Sequence, residues 1–170
     1  DTDKQVTALF QGPIEADTDL AYTPQVAVDS AGNALVVWKQ GSAIWANRYD
    51  AVSLWKTAGP IGTVPPNGNQ TSPQVAANAG GHAIAVWEEW TGGSFAVSAS
   101  WFNPVTGLWE EGGVLGDFTS TTAPSPQVAI DSTGNAVVVW QQSDNINSWD
   151  NIWAAQFDAT TSHWGAPGRI

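Results

Sequence analysis

The sequence has 170 residues, enough for one domain, and without Cys it can form neither disulfides nor thiolate metal sites. Five Lys and Arg against sixteen Asp and Glu give a formal net charge of −11, which excludes the basic surface that nucleic-acid binding needs. No stretch is apolar for long enough to span a membrane. Only 12% of the residues are charged, which is typical of β-rich proteins that work outside cells. We therefore predict a secreted or cell-surface protein. The absence of Met is equally expected of a processed chain and of a sequence that begins at an arbitrary boundary.

One repeat of roughly fifty residues occurs three times along the chain. Each copy opens with Pro-Gln-Val-Ala, at Pro24, Pro73 and Pro126. Each copy then reaches a Trp at the same offset and a second Trp further on: Trp38, Trp87 and Trp140, then Trp55, Trp109 and Trp164. The repeat predicts one domain over 1–170, made of units 24–72, 73–125 and 126–170.

The elements of the first copy follow in chain order. PQVAV from Pro24 predicts a short strand, because a Pro at a strand start needs no ladder N–H. Residues 29–33 form a turn, since Asp bonds nearby backbone and Gly accepts positive φ. The β-branched run ALVVW is too short for a helix and completes a hairpin. A third strand over 44–49 and a fourth strand, which in the second copy starts near Trp109, complete each repeat. We predict an all-β fold of three four-stranded antiparallel repeats.

The strand–DxxGN–strand hairpin resembles the blades of secreted bacterial β-propeller proteins, from about Pro24 to Ile170. The resemblance implies propeller-like blades, and a β-trefoil of three repeats is the alternative. Three blades leave two open edges, so a homodimer that closes a six-bladed propeller is one expectation. A fragment of a larger propeller is another. Residues 1–23 look like the tail of a preceding blade, because Gln11-Gly12-Pro13-Ile14 resembles the end of the first copy at residues 58–61.

Catalytic motifs are absent from the sequence. His82 and His163 stand on predicted turns, without a Ser-His-Asp context. The carboxylate pairs 88–89 and 110–111 are candidates for glycoside hydrolysis, but adjacent strand residues point to opposite faces. We interpret both pairs as solvated strand ends. No catalytic residues are predicted, and the chain is predicted not to be an enzyme.

Metal binding has weak support in the sequence. The loop over 144–151 offers several hard oxygen ligands, and Asp17 and Asp19 offer two more. Neither group has the spacing of a calcium-binding EF-hand loop. We predict solvated acidic loops, no metal site and no cofactor, with calcium as the alternative.

The eleven Trp residues carry the functional prediction. Six recur from copy to copy of the repeat and are expected to pack in the core and between repeats. Others combine with amides and carboxylates, as sugar recognition requires: an indole stacks on a pyranose while polar groups bind its hydroxyls. The candidate ligand-binding residues, centred on Trp149, are Trp149, Asp150, Asn147, Trp153, Trp45, Trp90 and Trp101.

These observations favour a non-catalytic, lectin-like protein whose partner is a glycan or cell-surface polysaccharide. A structural or adhesion module of a larger surface propeller is the second hypothesis. A glycoside hydrolase fragment is the third. Fold alone does not choose among them, because propellers host many functions.

Overall fold

The computed structural model describes Ile14 and residues 19–116, 121–143 and 150–170. These residues contain fourteen strands and no helix. Each repeat forms a separate antiparallel sheet, called blade 1, blade 2 and blade 3 in chain order. Blade 1 comprises β1 Ala21–Val28, β2 Ala34–Gln40, β3 Ala43–Asp50, β4 Leu54–Trp55 and β5 Gly59–Pro60. Blade 2 comprises β6 Asn69–Ala77, β7 Ala83–Trp90, β8 Phe95–Asn103 and β9 Leu108–Val114. Blade 3 comprises β10 Gln127–Ile130, β11 Ala136–Ser143, β12 Asp150–Asp158, β13 His163–Trp164 and β14 Gly168–Arg169.

The strands of each blade pair in sequence order, first with second, second with third and third with fourth. In blades 1 and 3 the outer strand is broken into two short pieces, whereas β9 of blade 2 continues past a bulge near Gly112. Every strand pairing among the described residues lies within one sheet, so the blades pack face to face and do not form a shared trefoil barrel. The prediction of an all-β fold with propeller-like, four-stranded blades is confirmed.

Two turns recur in the blades, and each is organised by one carboxylate in blades 1 and 3 and by an Asn side chain in blade 2. Asp131 Oδ1 accepts hydrogen bonds from the backbone N–H groups of Thr133, at 2.8 Å, and Asn135, at 2.9 Å. Gly134 in the same turn has φ +96°, a value that favours Gly. We call the four such residues the turn carboxylates: Asp29, Asp50, Asp131 and Asp158. These local bonds explain why the turn chemistry was visible in the sequence.

Hydrogen bonding to the ionised form lowers the pKa of each turn carboxylate. Backbone N–H groups of Ser53 and Val52 lower the pKa of Asp50 to about 2. Burial opposes ionisation of Asp29, but hydrogen bonds from Asn33 and Ala31 outweigh it and lower the pKa. The Thr133 side chain is the largest cause for Asp131, and the Thr160 backbone N–H for Asp158; both lower the pKa.

The core lies between the blades. One apolar residue follows the outer strand of each repeat. The backbone N–H of this residue donates to a carbonyl on the third strand of the same blade: Ile61 to Ile44, Leu115 to Val97 and Ile170 to Ile152. Ile61 and Leu115 are buried, with exposed fractions of 6% and 3%, because blade 2 and blade 3 cover them. Ile170 is 78% exposed. Val26 and Val28, on the opposite side of blade 1, are also exposed. Blades 1 and 3 therefore each present an open apolar face.

The predicted blade tail at residues 1–23 lies mostly outside the described part of the chain. Ile14 is described, and its carbonyl accepts a 2.8 Å hydrogen bond from the Asn47 side chain. In blade 2, the carbonyl of Ile61 accepts a hydrogen bond from Ser100, which occupies the position of Asn47. Ile14 therefore meets blade 1 as Ile61 meets blade 2, although the predicted domain boundaries themselves stay a prediction.

Candidate functional site

The sugar site predicted around Trp149 falls largely on residues whose structure is not described. Asn147 and Trp149 both lie outside the described residues. Asp150 begins β12, is exposed, and accepts a 2.6 Å hydrogen bond from the Gln141 side chain. The loop site therefore stays a prediction.

The four remaining candidates are half-buried strand residues distributed over the three blades, and two of them, Trp101 and Trp153, pack against the same core cluster. Trp45 and Trp153 occupy equivalent places on the third strands of blades 1 and 3. Trp101 packs against Phe157, with ring centroids 5.9 Å apart, between blades 2 and 3. Trp90 is the last residue of β7. The structure does not bring these indoles together into one site.

The interpretation of Glu88 and Glu89 as a solvated strand end is wrong. Glu88 is 4% exposed and Glu89 is 6% exposed. They point to opposite faces of blade 2, as expected for neighbours on a strand. Glu88 accepts a 3.0 Å hydrogen bond from the Ser125 backbone of blade 3. Glu89 accepts a 3.3 Å hydrogen bond from the Gln70 amide. The adjacent blades bury both carboxylates, an effect that no local pattern reveals.

The largest cavity described, about 690 Å³, lies on the open face of blade 3. Its lining includes Val137, Gln156 and Gly165. Gln156 and Gly165 occupy the positions of Arg48 and Lys56 in blade 1, on the face against which blade 2 packs. This cavity therefore belongs to a surface that another blade would cover, and we do not assign it to a ligand.

A groove of about 510 Å³ lies between blades 1 and 2, and we call it the inter-blade groove. Its walls combine an aromatic residue, an amide and two cations: Trp109, Asn47, Arg48 and Lys56. Arg48 is held by Asp50, with Nη1 3.6 Å from Oδ2, and its guanidinium lies over the Phe102 ring. Two of the five cations of a strongly acidic chain therefore line one groove.

The groove continues toward blade 2. A cavity of about 250 Å³ shares Pro60, Ile61 and Trp109 with the groove. That cavity shares Thr63 and Glu111 with a smaller one of about 40 Å³, the inner cavity, which Glu89 also lines. Glu111 is exposed, so it stands at the mouth of the inner cavity, while the buried Glu89 lies inside.

Sequence analysis missed this site because its two walls come from distant parts of the chain, residues 46–61 and 102–109. One signal was available. Where blades 1 and 3 carry Gln40 and Gln142, blade 2 carries Glu89, and such a departure from the repeat marks a specialised position.

Within the described ranges, no group of three or more His, Asp or Glu residues is placed to hold a metal ion. The same residues include no helix long and apolar enough to cross a membrane.

Comparison with known proteins gives matches to solved structures alone. No family model matches the chain, and no curated protein matches its sequence. An endo-arabinase from Bacteroides thetaiotaomicron is similar, with TM-score 0.53 and 15% identity over 89% of this chain and 56% of that one. The α-L-arabinofuranosidase Arb93A from Fusarium graminearum matches with TM-score 0.57 and 10% identity over 92% of this chain and 50% of its own. A member of the GH130 family, described as mannoside phosphorylases and glycoside hydrolases that target β-1,2 mannosidic linkages, matches with TM-score 0.52 and 14% identity over 88% and 49%.

The chain thus spans about half the length of the solved structures it resembles. At these identities the likeness establishes the fold, an array of propeller-like blades. It also contradicts the prediction that the chain is not an enzyme, because the solved structures that match this architecture are carbohydrate-active enzymes.

Proposed function

We propose that this chain forms part of a carbohydrate-active, propeller-type enzyme outside the cell and binds a glycan in the inter-blade groove. The observation that carries the proposal is the groove itself. Its volume of about 510 Å³ lies in the range of small-molecule sites, about 300–1,000 Å³. Cleavage of glycosidic bonds is the reaction class that the structural neighbours support.

The lining of the groove suits a sugar. The half-buried Trp109 offers an apolar ring for stacking. The Arg48 guanidinium and the Lys56 ammonium supply hydrogen-bond donors for hydroxyl oxygens. A flat aromatic surface beside several fixed donors is the combination that orients a polar ring with an apolar face.

We also propose that a second copy of this chain covers the two open faces and extends the ring. The apolar contacts that bury Ile61 and Leu115 have no counterpart at Ile170 among the described residues. Light scattering across a dilution series tests this proposal. A dimer that dissociates on dilution is expected, and a strict monomer at all concentrations contradicts it.

The groove is tested by titrating the chain with arabino-oligosaccharides and β-1,2-manno-oligosaccharides in a calorimeter. The informative variant is Arg48→Gln, because Gln156 occupies that position in blade 3 and the fold tolerates it. Loss of a charged hydrogen bond predicts weaker binding by about tenfold or more.

Lys39→Gln is the matched control. It removes the same charge, follows Gln141 of blade 3, and lies outside the groove, where Lys39 bonds Asn69 at 2.9 Å. Equal losses in both variants, or no binding of any oligosaccharide by the unmodified chain, would overturn the proposed groove.

A further inference from the structure

The strand Trp of each repeat shows how blade 2 differs from its neighbours. In blades 1 and 3 the indole N–H donates to the Gln two residues later: Trp38 to Gln40 at 2.8 Å, and Trp140 to Gln142 at 2.9 Å. Blade 2 carries Glu89 at that position. The Trp–Gln hydrogen bonds of blades 1 and 3 therefore show which contact is expected at the position of Glu89.

In blade 2 the corresponding hydrogen bond is missing. Glu89 accepts from the Gln70 amide instead, and Trp87 Nε1 is buried with no hydrogen-bond partner within the described part of the chain. Ser98, where blades 1 and 3 carry a Trp, likewise has a buried hydroxyl that no described residue satisfies. Trp87 is 1% exposed and Ser98 is 3% exposed. Both line the inner cavity with Glu89 and Glu111.

Unsatisfied buried polar groups are rare because each costs about 1–3 kcal/mol. Two such groups, the Trp87 N–H and the Ser98 hydroxyl, share one cavity, which opens at the exposed Glu111 into the space that continues from the inter-blade groove. The cavity therefore has a polar lining, an entrance and a connection to the groove.

The lining chemistry specifies the group that fits. The Trp87 N–H is a donor without acceptor capacity, which disfavours a cation. The carboxylates of Glu89 and Glu111 accept and repel an anion. A hydroxyl both donates and accepts, so it can satisfy the indole, the Ser98 hydroxyl and a carboxylate together. A cavity volume of about 40 Å³ exceeds the roughly 10–15 Å³ that a single water molecule needs and leaves room for a small arm.

We propose that the inner cavity is a specificity pocket for the exocyclic hydroxymethyl group of a sugar whose ring lies in the adjoining cavity of about 250 Å³, where the inter-blade groove continues toward blade 2. This inference rests on the proposed glycan function of the groove. The pocket selects sugars that carry the hydroxyl, because an analogue without it leaves the buried N–H, hydroxyl and carboxylate unpaired.

The test compares β-1,2-mannobiose with its 6-deoxy counterpart and uses indole N–H resonances in two-dimensional NMR as reporters. Trp109 reports on the groove and Trp87 on the inner cavity. We expect mannobiose to shift both resonances and to bind at least about tenfold more tightly than the deoxy sugar. The deoxy sugar is expected to shift Trp109 alone.

Glu89→Gln is the informative variant. It installs the residue of blades 1 and 3, whose amide oxygen can accept from the Trp87 N–H, so the fold is preserved while the pocket is closed. We expect the variant to lose the preference for mannobiose and to retain binding of the deoxy sugar. Glu110→Gln is the control, because Glu110 neighbours Glu111 on β9 but does not line the cavity.

The outcomes separate the two proposals. A shift of Trp109 without Trp87, with both sugars bound equally, overturns the pocket and leaves the groove. If neither sugar shifts the Trp109 or the Trp87 resonance, the groove and the pocket are overturned together. A shift of Trp87 on addition of Ca²⁺ alone would make the cavity a cation site and refute the hydroxyl pocket.

Discussion

Leu115 and Ile170 occupy equivalent positions of the repeat. Substituting each by Ala shows how much the contact between two blades contributes to stability. Leu115 is 3% exposed in the core between blades 2 and 3, whereas Ile170 is 78% exposed on the open face of blade 3. Leu115→Ala removes three buried carbons, each worth about 0.8 kcal/mol, and leaves a cavity. The expected loss of unfolding free energy is about 3 kcal/mol. Ile170→Ala should cost less than about 0.5 kcal/mol, because surface substitutions rarely cost more.

Urea denaturation of both variants, followed by Trp fluorescence, checks this expectation. For a domain of this size, a loss of about 3 kcal/mol also lowers the melting temperature by roughly 6–12 °C. The reasoning is refuted if Ile170→Ala loses as much as Leu115→Ala at a dilution where the chain is monomeric. If a second copy covers the open face, the cost of Ile170→Ala should rise with protein concentration.

Three further predictions concern packing, hydrogen bonding and pH. Gly62→Ala should cost about 1–3 kcal/mol of stability, because its Cβ would lie 2.5 Å from the Trp87 ring, whereas Gly59→Ala meets no atom within 4 Å and should be near neutral in thermal melts. Gln70→Leu should lower the free energy of unfolding by about 2–4 kcal/mol in urea titrations, because it leaves the Ile44 N–H without an acceptor and Glu89 without its described hydrogen bond. A loss under about 0.5 kcal/mol would contradict this explanation. The turn carboxylates have folded pKa values below the ordinary value of 3.8, so the stability they supply is fully present above that pH and is lost as pH falls toward about 2. Unfolding free energy measured from pH 5 to pH 2 should decline, and replacing Asp50 by Asn should flatten the decline.

The blades were predictable because their signals are local. The run that ends at Trp38 contains its own strand preference, and the turn at Asp131 is held by bonds that span four residues or fewer. Such features survive in any packing arrangement. The burial of Trp87 was equally visible, since a large apolar residue recurred at one offset of every repeat.

The candidate site was not predictable in the same way. Glu89 looks like a solvated strand end until Gln70 of β6 and the connector at Thr63 lie against it, and these contacts join segments that are not neighbours in sequence. The replacement of a repeated Trp by Ser98 is visible in the sequence, but the cavity it creates depends on how closely the neighbouring blade approaches. Comparing the repeats offset by offset would have identified both positions without locating the groove.

The hydrogen bond that follows each outer strand bears on how such a protein grows. The backbone N–H of Ile61 and that of Leu115 both return to the blade that the chain is leaving. Each connector is therefore tied to the blade that it leaves, and the angle between neighbours depends on side-chain packing and on hydrogen bonds between blades, such as the one from the Gln70 N–H to the Ser42 carbonyl. A gene duplication that adds one unit of roughly fifty residues would supply its own connector and its own apolar residue after the outer strand. Substitutions at the position of Ile61 and Leu115 would then change the angle between blades, and with it the size of the ring, while the strands and turns stay the same.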